Sequence, residues 1–272
     1  MLIERHIRSF VRREGRMTDR QKAAFASYSS KYILSPDKKF SSQASFGKEA
    51  PVVLEIGFGM GQSLFKMAQA NPDKHYLGIE VHRPGVGALL ASLEEHHLEN
   101  VRIYAADATI VLKQCITPQT ISEVLIYFPD PWPKKRHHKR RIIQTDFVQK
   151  LVDILKPEGI LHCATDWEDY AHHMMAVLSQ CNALMNTAGH GQFADSSVVE
   201  QRRPETKFER RGQRLGHKIY DLVFCKKQDG SQQLDFQRGA NEADEGVYEQ
   251  YMTEVDAVCN DAESSSARSQ NV

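Results

Sequence analysis

From Pro51 onward the chain alternates between two hydrophobic periods, and few architectures accommodate that alternation. Short apolar runs, most of them rich in β-branched or aromatic residues, at 52–57, 75–81, 101–106, 124–128 and 160–165 have the length and content of strands. After each comes a stretch with apolar residues at helical spacing: 63–70, 86–98, 108–115, 142–155 and 170–178. Pro157 and Gly159 close the fourth of these. A run at 218–225, reached after a long polar excursion, reads as a last strand, expected antiparallel to the others. Strands separated by helices pair in parallel and are covered on both faces. The predicted fold class is therefore α/β, with a doubly wound, mainly parallel sheet.

In such sheets ligands sit beyond the carboxyl ends of the strands. There the chain repeatedly puts an acid: Glu55, Glu80, Asp107, Asp130 and Asp166. A single acid after a strand usually caps the next helix, which by itself would account for Asp107 and Asp166. Five acids at one edge exceed what capping requires. The first strand runs into Glu55-Ile-Gly57-Phe-Gly59-Met-Gly61, whose glycines permit a tight turn and a close backbone approach to a ligand. Dinucleotide-binding loops are similar but spaced G-x-G-x-x-G, and a pyrophosphate here would face the Glu55 carboxylate. A ligand carrying ammonium and sulfonium charge suits that acid better, which points to S-adenosylmethionine. Glu80, nineteen residues after Gly61, is placed for ribose hydroxyls, and Asp107 for the adenine amine.

The fourth strand leads into the most distinctive stretch, Y-F-P-D-P-W-P-K-K-R-H-H-K-R-R. Pro129, Pro131 and Pro133 forbid regular structure and stiffen a turn that carries Asp130 and Trp132. Six Lys/Arg and two His then fill the eight residues 134–141. Charge runs are commonly solvated surface. Beside an acid and an aromatic at a sheet's rim, this one reads as a phosphate-binding strip serving chemistry on a nucleobase. Rings in Pro-rich turns usually pack, so packing is expected of Trp132, and of Trp167 as well.

The formal net charge of zero hides a division. From Gln228 the tail holds ten Asp/Glu and two Arg, a net of −8, which leaves residues 1–227 at +8. A cationic body points to a polyanionic partner. Residues 1–50 are polar and basic and read as a partly flexible arm, 51–227 as the catalytic domain, and 228–272 as an acidic, disordered tail with a short amphipathic stretch at 247–258. The tail's acids would compete with that polyanion for the basic strip at low salt. Arg5, Arg8, Arg12, Arg13 and Arg16 would form a second clamp. No apolar run approaches a membrane span of about 18 residues, and no secretory signal is visible. Six arginines in the first twenty residues are accompanied by Glu4, Glu14 and Asp19, which argues against a mitochondrial presequence and for a cytoplasmic protein. Five scattered cysteines form neither a disulfide framework nor a metal site, and no metal is expected. The oligomeric state is open, with a monomer favoured.

Seven strings occur in order: I-R-S-F-V (7–11), L-E-I-G-F-G-M-G (54–61), L-G-I-E-V (77–81), F-P-D-P-W (128–132), K-R-R (139–141), A-T-D-W (164–167) and T-K-F-E-R-R-G (206–212). With them the chain, over residues 5–226, resembles the bacterial tRNA (guanine-N7-)-methyltransferases, class I S-adenosylmethionine-dependent enzymes of Rossmann-like fold. The resemblance implies cofactor contacts at Glu55, Glu80, Asp107 and Asp130, with Asp130 catalytic, and it places the Gly57, Gly59 and Gly61 loop against the same ligand. It implies tRNA or guanine contacts at Lys134, Arg136, His137, His138, Lys139, Arg140 and Arg141. Asp166, Thr206, Lys207, Phe208 and Glu209 complete that set. The implied substrate is the guanosine at position 46 in the tRNA variable loop. The acidic tail lies beyond the resemblance.

Guanine N7 has a free lone pair and no proton to lose, so methyl transfer is a direct in-line displacement that needs alignment and electrostatics, not a general base. A carboxylate favours the cationic product and can accept guanine's N1 and N2 hydrogens. Asp130 is assigned that role with Asp166 helping, while Glu209 remains an alternative for the base edge. Three rival readings are ranked lower. A methyltransferase of exocyclic amines would carry D/N-P-P-Y/F where this chain has D-P-W. A nicotinamide-dependent oxidoreductase would bind that cofactor, and an idle RNA-binding module would bind tRNA without methyl transfer.

Overall fold

The computed structural model describes residues 15–228. The chain runs α1 (Asp19–Tyr32), α2 (Ser42–Phe46), β1 (Val52–Ile56), α3 (Gln62–Ala70), β2 (His75–Ile79), α4 (Arg83–Glu95), β3 (Val101–Tyr104), α5 (Ala108–Gln114) and β4 (Ile121–Tyr127). A 3-10 turn (Lys135–Arg140) precedes α6 (Thr145–Ile154), β5 (Leu155–Thr165), α7 (Glu168–Ser179), β6 (Leu184–Asn186), α8 (Ser196–Arg202), α9 (Lys207–Arg214) and β7 (Tyr220–Lys226). The seven strands form one sheet in the order β3-β2-β1-β4-β5-β7-β6. β1 to β5 are parallel, while β7 runs antiparallel to both β5 and β6. The doubly wound α/β sheet and the antiparallel last strand are as expected.

Alternation along β1 shows how the sheet is sandwiched. Val52, Leu54 and Ile56 face a core shared with α5, α6 and α7. Val53 faces a second core, shared with α1, α3 and α4. Leu54 is fully buried, and each such side chain contributes about 1.5–3 kcal/mol.

Besides the 3-10 turn, α1, α2, β6, α8 and α9 were not expected. β6 has only three residues, too few for a period to show. The amino-terminal segment, read as a flexible arm, contains α1 packed on the second core from Asp19, with Ala24 and Tyr32 buried. Its start is fixed by a capping box in which Thr18 and Gln21 serve each other's backbone amides. α1 crosses α4 at Gly87, where a Cβ would stand 2.8 Å from the Gln21 carbonyl. Leu34 then donates to the Ile103 carbonyl at 2.8 Å, shielding the edge strand β3. Arg5, Arg8, Arg12 and Arg13 lie outside the described residues, as does the acidic tail beyond Gln228 with its amphipathic stretch.

Among the described residues no helix is long and apolar enough to cross a membrane, and no cluster of His, Cys, Asp and Glu could hold a metal. Their four cysteines are free thiols, and burial pushes the Cys163 thiol well up.

Candidate functional site

β1 and β4 are neighbours in the sheet, yet the chain continues from them to opposite sides, and the crevice this leaves beyond their carboxyl ends is the expected ligand position. A cavity of about 440 Å³ opens there, within the usual range for small-molecule sites. Gly57 and Gly59 line one wall, while Gly61 sits against Leu89; all three are left-handed, at φ +78°, +58° and +77°, which other residues adopt only with strain. Glu80 closes the same wall. Its Oε2 accepts from the Gly59 amide at 2.8 Å, and its Oε1 accepts from the Val81 and His82 amides at 2.7 and 2.9 Å. The carboxylate thereby pins the loop to the start of α4. Asp107 also lines the cavity while capping α5, accepting from the Thr109 amide at 2.8 Å and from its hydroxyl at 2.6 Å.

Glu55 behaves differently from the expectation. It is 3% exposed on β1, is not part of the cavity wall, and its Oε2 has no hydrogen-bond partner. Burial first, and the charge of Glu80 second, push its pKa up to about 8, so at neutral pH the free protein holds it as a neutral acid. The negative charge at the loop comes from Glu80.

On the far wall the chain leaves β4 through Phe128, Pro129 and Asp130, all of which line the cavity. Phe128 and Trp132 have φ of +51° and +46°, a left-handed conformation that costs a bulky residue about 1–3 kcal/mol. Asp130, between two prolines, is restricted to extended backbone. Something must hold this turn, and Arg141 does so. Its side chain is wholly buried. Nε donates to the Pro131 carbonyl at 3.0 Å, and Nη2 contacts Asp169 and lies 3.1 Å from His138 Nε2. Arg141, expected on the phosphate strip, is therefore an internal strut, and burial removes it from the RNA-facing set.

The remaining strip lies outward. Lys134, Lys135, Arg136 and Lys139 are exposed. Arg140 stands over the Trp132 ring at 3.7 Å, and His137 meets that ring edge-on at 5.9 Å, so Trp132 packs. Trp167 packs on the main core. Slight desolvation and then the charges of Arg136 and Arg140 lower the pKa of His137.

Beyond β5 a second buried guanidinium organises the rim. Arg203, its side chain 1% exposed, donates from Nε and Nη2 to the two Asp221 oxygens at 2.8 Å each and from Nη1 to Glu209. Asp221 also pairs with His162 at 2.7 Å, whose Nδ1 lies 3.3 Å from the Tyr127 hydroxyl. Burial works against the charged forms of Arg203 and Asp221, but their mutual hydrogen bonds prevail, raising one pKa and lowering the other. Glu209 also completes a capping box with Thr206. Of the set around 206–209, Glu209 is thus engaged by Arg203, Lys207 is exposed, and Phe208 joins the cavity wall with its ring 6.3 Å from that of Phe128. Asp166 lies outside the wall, under α9, with Oδ2 3.4 Å from His217 Nδ1. The buried roles of Arg141 and Arg203 escape a reading of charge alone. The T-x-x-E spacing at 206–209 was the available signal for a helix start there.

The family model Methyltransf_4, which describes methyltransferases, matches residues 49–222. A tRNA (guanine-N(7)-)-methyltransferase of Alcanivorax borkumensis is 50% identical over 226 residues, covering 83% of this chain and 93% of that one. Its counterpart from Legionella pneumophila is 49% identical over 228 residues, covering 83% of this chain and all of that one. Among solved structures, the 16S rRNA methyltransferase KamB superposes with a TM-score of 0.48 at 14% identity, covering 79% of this chain and 97% of that one.

Proposed function

The chain belongs to the tRNA (guanine-N(7)-)-methyltransferase family, and we propose that it transfers a methyl group from S-adenosylmethionine to N7 of a guanosine in tRNA, at position 46 of the variable loop. The observation that carries this reading is one cavity bounded by the Gly57–Gly59 loop, Glu80 and Asp107 on one side and by Asp130 on the other. The exposed cations of 134–140 follow Asp130 in the chain after only three residues.

The residues present fit the cofactor. Ile56, Ile79, Ile126 and Phe208 offer apolar surface for a planar ring, and Glu80 and Asp107 offer acceptors for hydroxyl and amine hydrogens. Buried Glu55, with one oxygen unpaired, lies off the cavity wall and is not one of the residues we assign to the cofactor. S-adenosylmethionine, when bound, supplies a methyl group activated by its sulfonium, and the N7 lone pair accepts it without a base. The chain's own work is orientation. The backbone of 128–132, held left-handed at both ends and tied down by Arg141, fixes Asp130. Asp130 then accepts hydrogens of guanine's N1 and N2 edge and offsets the positive charge that develops on the ring. Glu209, tied to Arg203, supports α9 and is not the residue we assign to the base.

The test is incubation with unmodified tRNA and methyl-labelled cofactor, followed by mapping of the label. N7-methylguanosine at position 46 is expected. Label on an exocyclic amine, or tRNA bound without label, would overturn the reading.

A further inference from the structure

We propose that one side of α9, formed by Lys207, Arg210, Arg211 and Arg214, is a second phosphate-binding surface for the tRNA, beside the same cavity as the 134–140 strip. The proposal rests on the tRNA reading above, in which only Lys207 of these four was an expected contact, and extends it to Arg210, Arg211 and Arg214.

These four cations stand at i, i+3, i+4 and i+7, so they share an arc of roughly 100° on the helix. All four are exposed. Phe208 and Gly212 lie to one side of that arc. Phe208 lines the cavity, and Gly212 sits so close to Asp166 that a Cβ would be 3.0 Å from it. Like charges at these spacings repel along a helix. A merely solvated face normally intersperses acids, but here the acids are spent elsewhere. Glu209 is engaged by Arg203, and Glu205 meets only Arg210, at 3.5 Å between half-exposed side chains. Among the described residues no acid pairs with Lys207, Arg211 or Arg214.

The stripe is also held in place. Arg203 ties the first turn of α9 to Asp221 on β7, and the Thr206–Glu209 capping box fixes the helix start. The stripe rises about 10 Å along the axis, enough to meet more than one phosphate. Because Phe208 belongs to the same helix, an RNA backbone on the stripe lies within about one helix diameter of the cavity wall.

The full-length protein is compared with Arg211→Ala/Arg214→Ala and with Arg211→Lys/Arg214→Lys, using unmodified tRNA over a range of salt. The alanine pair is expected to weaken tRNA binding and raise KM for tRNA, with cofactor affinity by calorimetry unchanged. Its slope of log K against log salt should flatten by about 1.4–1.8, two contacts' worth. The lysine pair should keep the wild-type slope. An unchanged slope in the alanine pair, while the wild type binds and methylates tRNA, overturns the α9 surface alone. Loss of cofactor affinity in both pairs would make α9 only a cavity wall and would also overturn it. Absence of tRNA binding by the wild type would remove this surface and the function reading together.

Discussion

Beyond β2 and β3 the rim is built from carboxylates wrapped by backbone amides or a neighbouring hydroxyl, whereas beyond β4 and β5 it is built around buried guanidinium groups. In the first region Glu80 and Asp107 collect short hydrogen bonds from Gly59, Val81, His82 and Thr109, so their charge is balanced by dipoles that cannot diffuse away. In the second, Arg141 and Arg203 reach across from other segments to fix the Asp130 turn and the start of α9. The first arrangement presents a ready cavity for a small ligand. The second couples the cavity to surfaces that would meet a large one. Arg140 and Arg141 make the contrast sharp, since adjacent identical side chains divide into one that lies over Trp132 and one that is sealed inside.

The hardest test of this division is Asp130→Ala. If the guanidinium-held region carries the chemistry and the amide-held region the cofactor, turnover should fall by about 100-fold or more while cofactor affinity by calorimetry is retained. Near-normal turnover would remove Asp130 from the reaction. Arg141→Ala comes next. It cuts the strut to Pro131 and takes the guanidinium from Asp169, which is 38% exposed and keeps His138 Nε2 at 3.8 Å, for an expected loss of about 3 kcal/mol in denaturant unfolding with kcat also reduced. Equal stability in that variant would show the turn to be self-supporting. Lys134→Ala/Lys139→Ala, both exposed, should leave stability within about 0.5 kcal/mol but flatten the salt dependence of tRNA binding by roughly 1.4–1.8. An unaltered slope would make the strip mere solvated surface.

The smallest effect concerns Glu55. An acid whose folded pKa of about 8 lies above its ordinary 4.5 keeps its proton longer when folded. Its contribution is therefore complete below about pH 4.5 and is lost as pH rises through 8. Glu55→Gln should flatten the decline of Tm between pH 6 and 9 and raise Tm at pH 9 by a few degrees. An unchanged decline would show that Glu55 is ionised at neutral pH and that the amide-held region carries a second charge.

The alternation of periods was enough to find the sheet, because strands buried on both faces leave continuous apolar runs such as Val124–Leu–Ile–Tyr127. The glycine loop, Glu80, Asp107 and Asp130 could be read because each follows a strand directly, and the topology carries all strand ends to one edge. What could not be read was the fate of charge. Nothing in K-R-R distinguishes Arg141, since its burial depends on Asp169 and Pro131 arriving from other segments. Glu55 stands at the head of a glycine motif, yet alternation along β1 turns it inward. α1 was passed over because its apolar positions are few and only Ala24 and Tyr32 are buried.

The reversal of the last strand has a practical corollary. Tyr220 pairs with Thr165 near the cavity, but Cys225 pairs with Ile160, so the backbone travels away from the mouth and exits on the sheet's opposite border after Lys226. Seven residues of strand put roughly 20 Å between that exit and the carboxyl rim. A fluorophore or surface tether attached there would leave the mouth facing solution, free to receive a bulky RNA. A tether competing for that mouth would have to double back along the whole sheet.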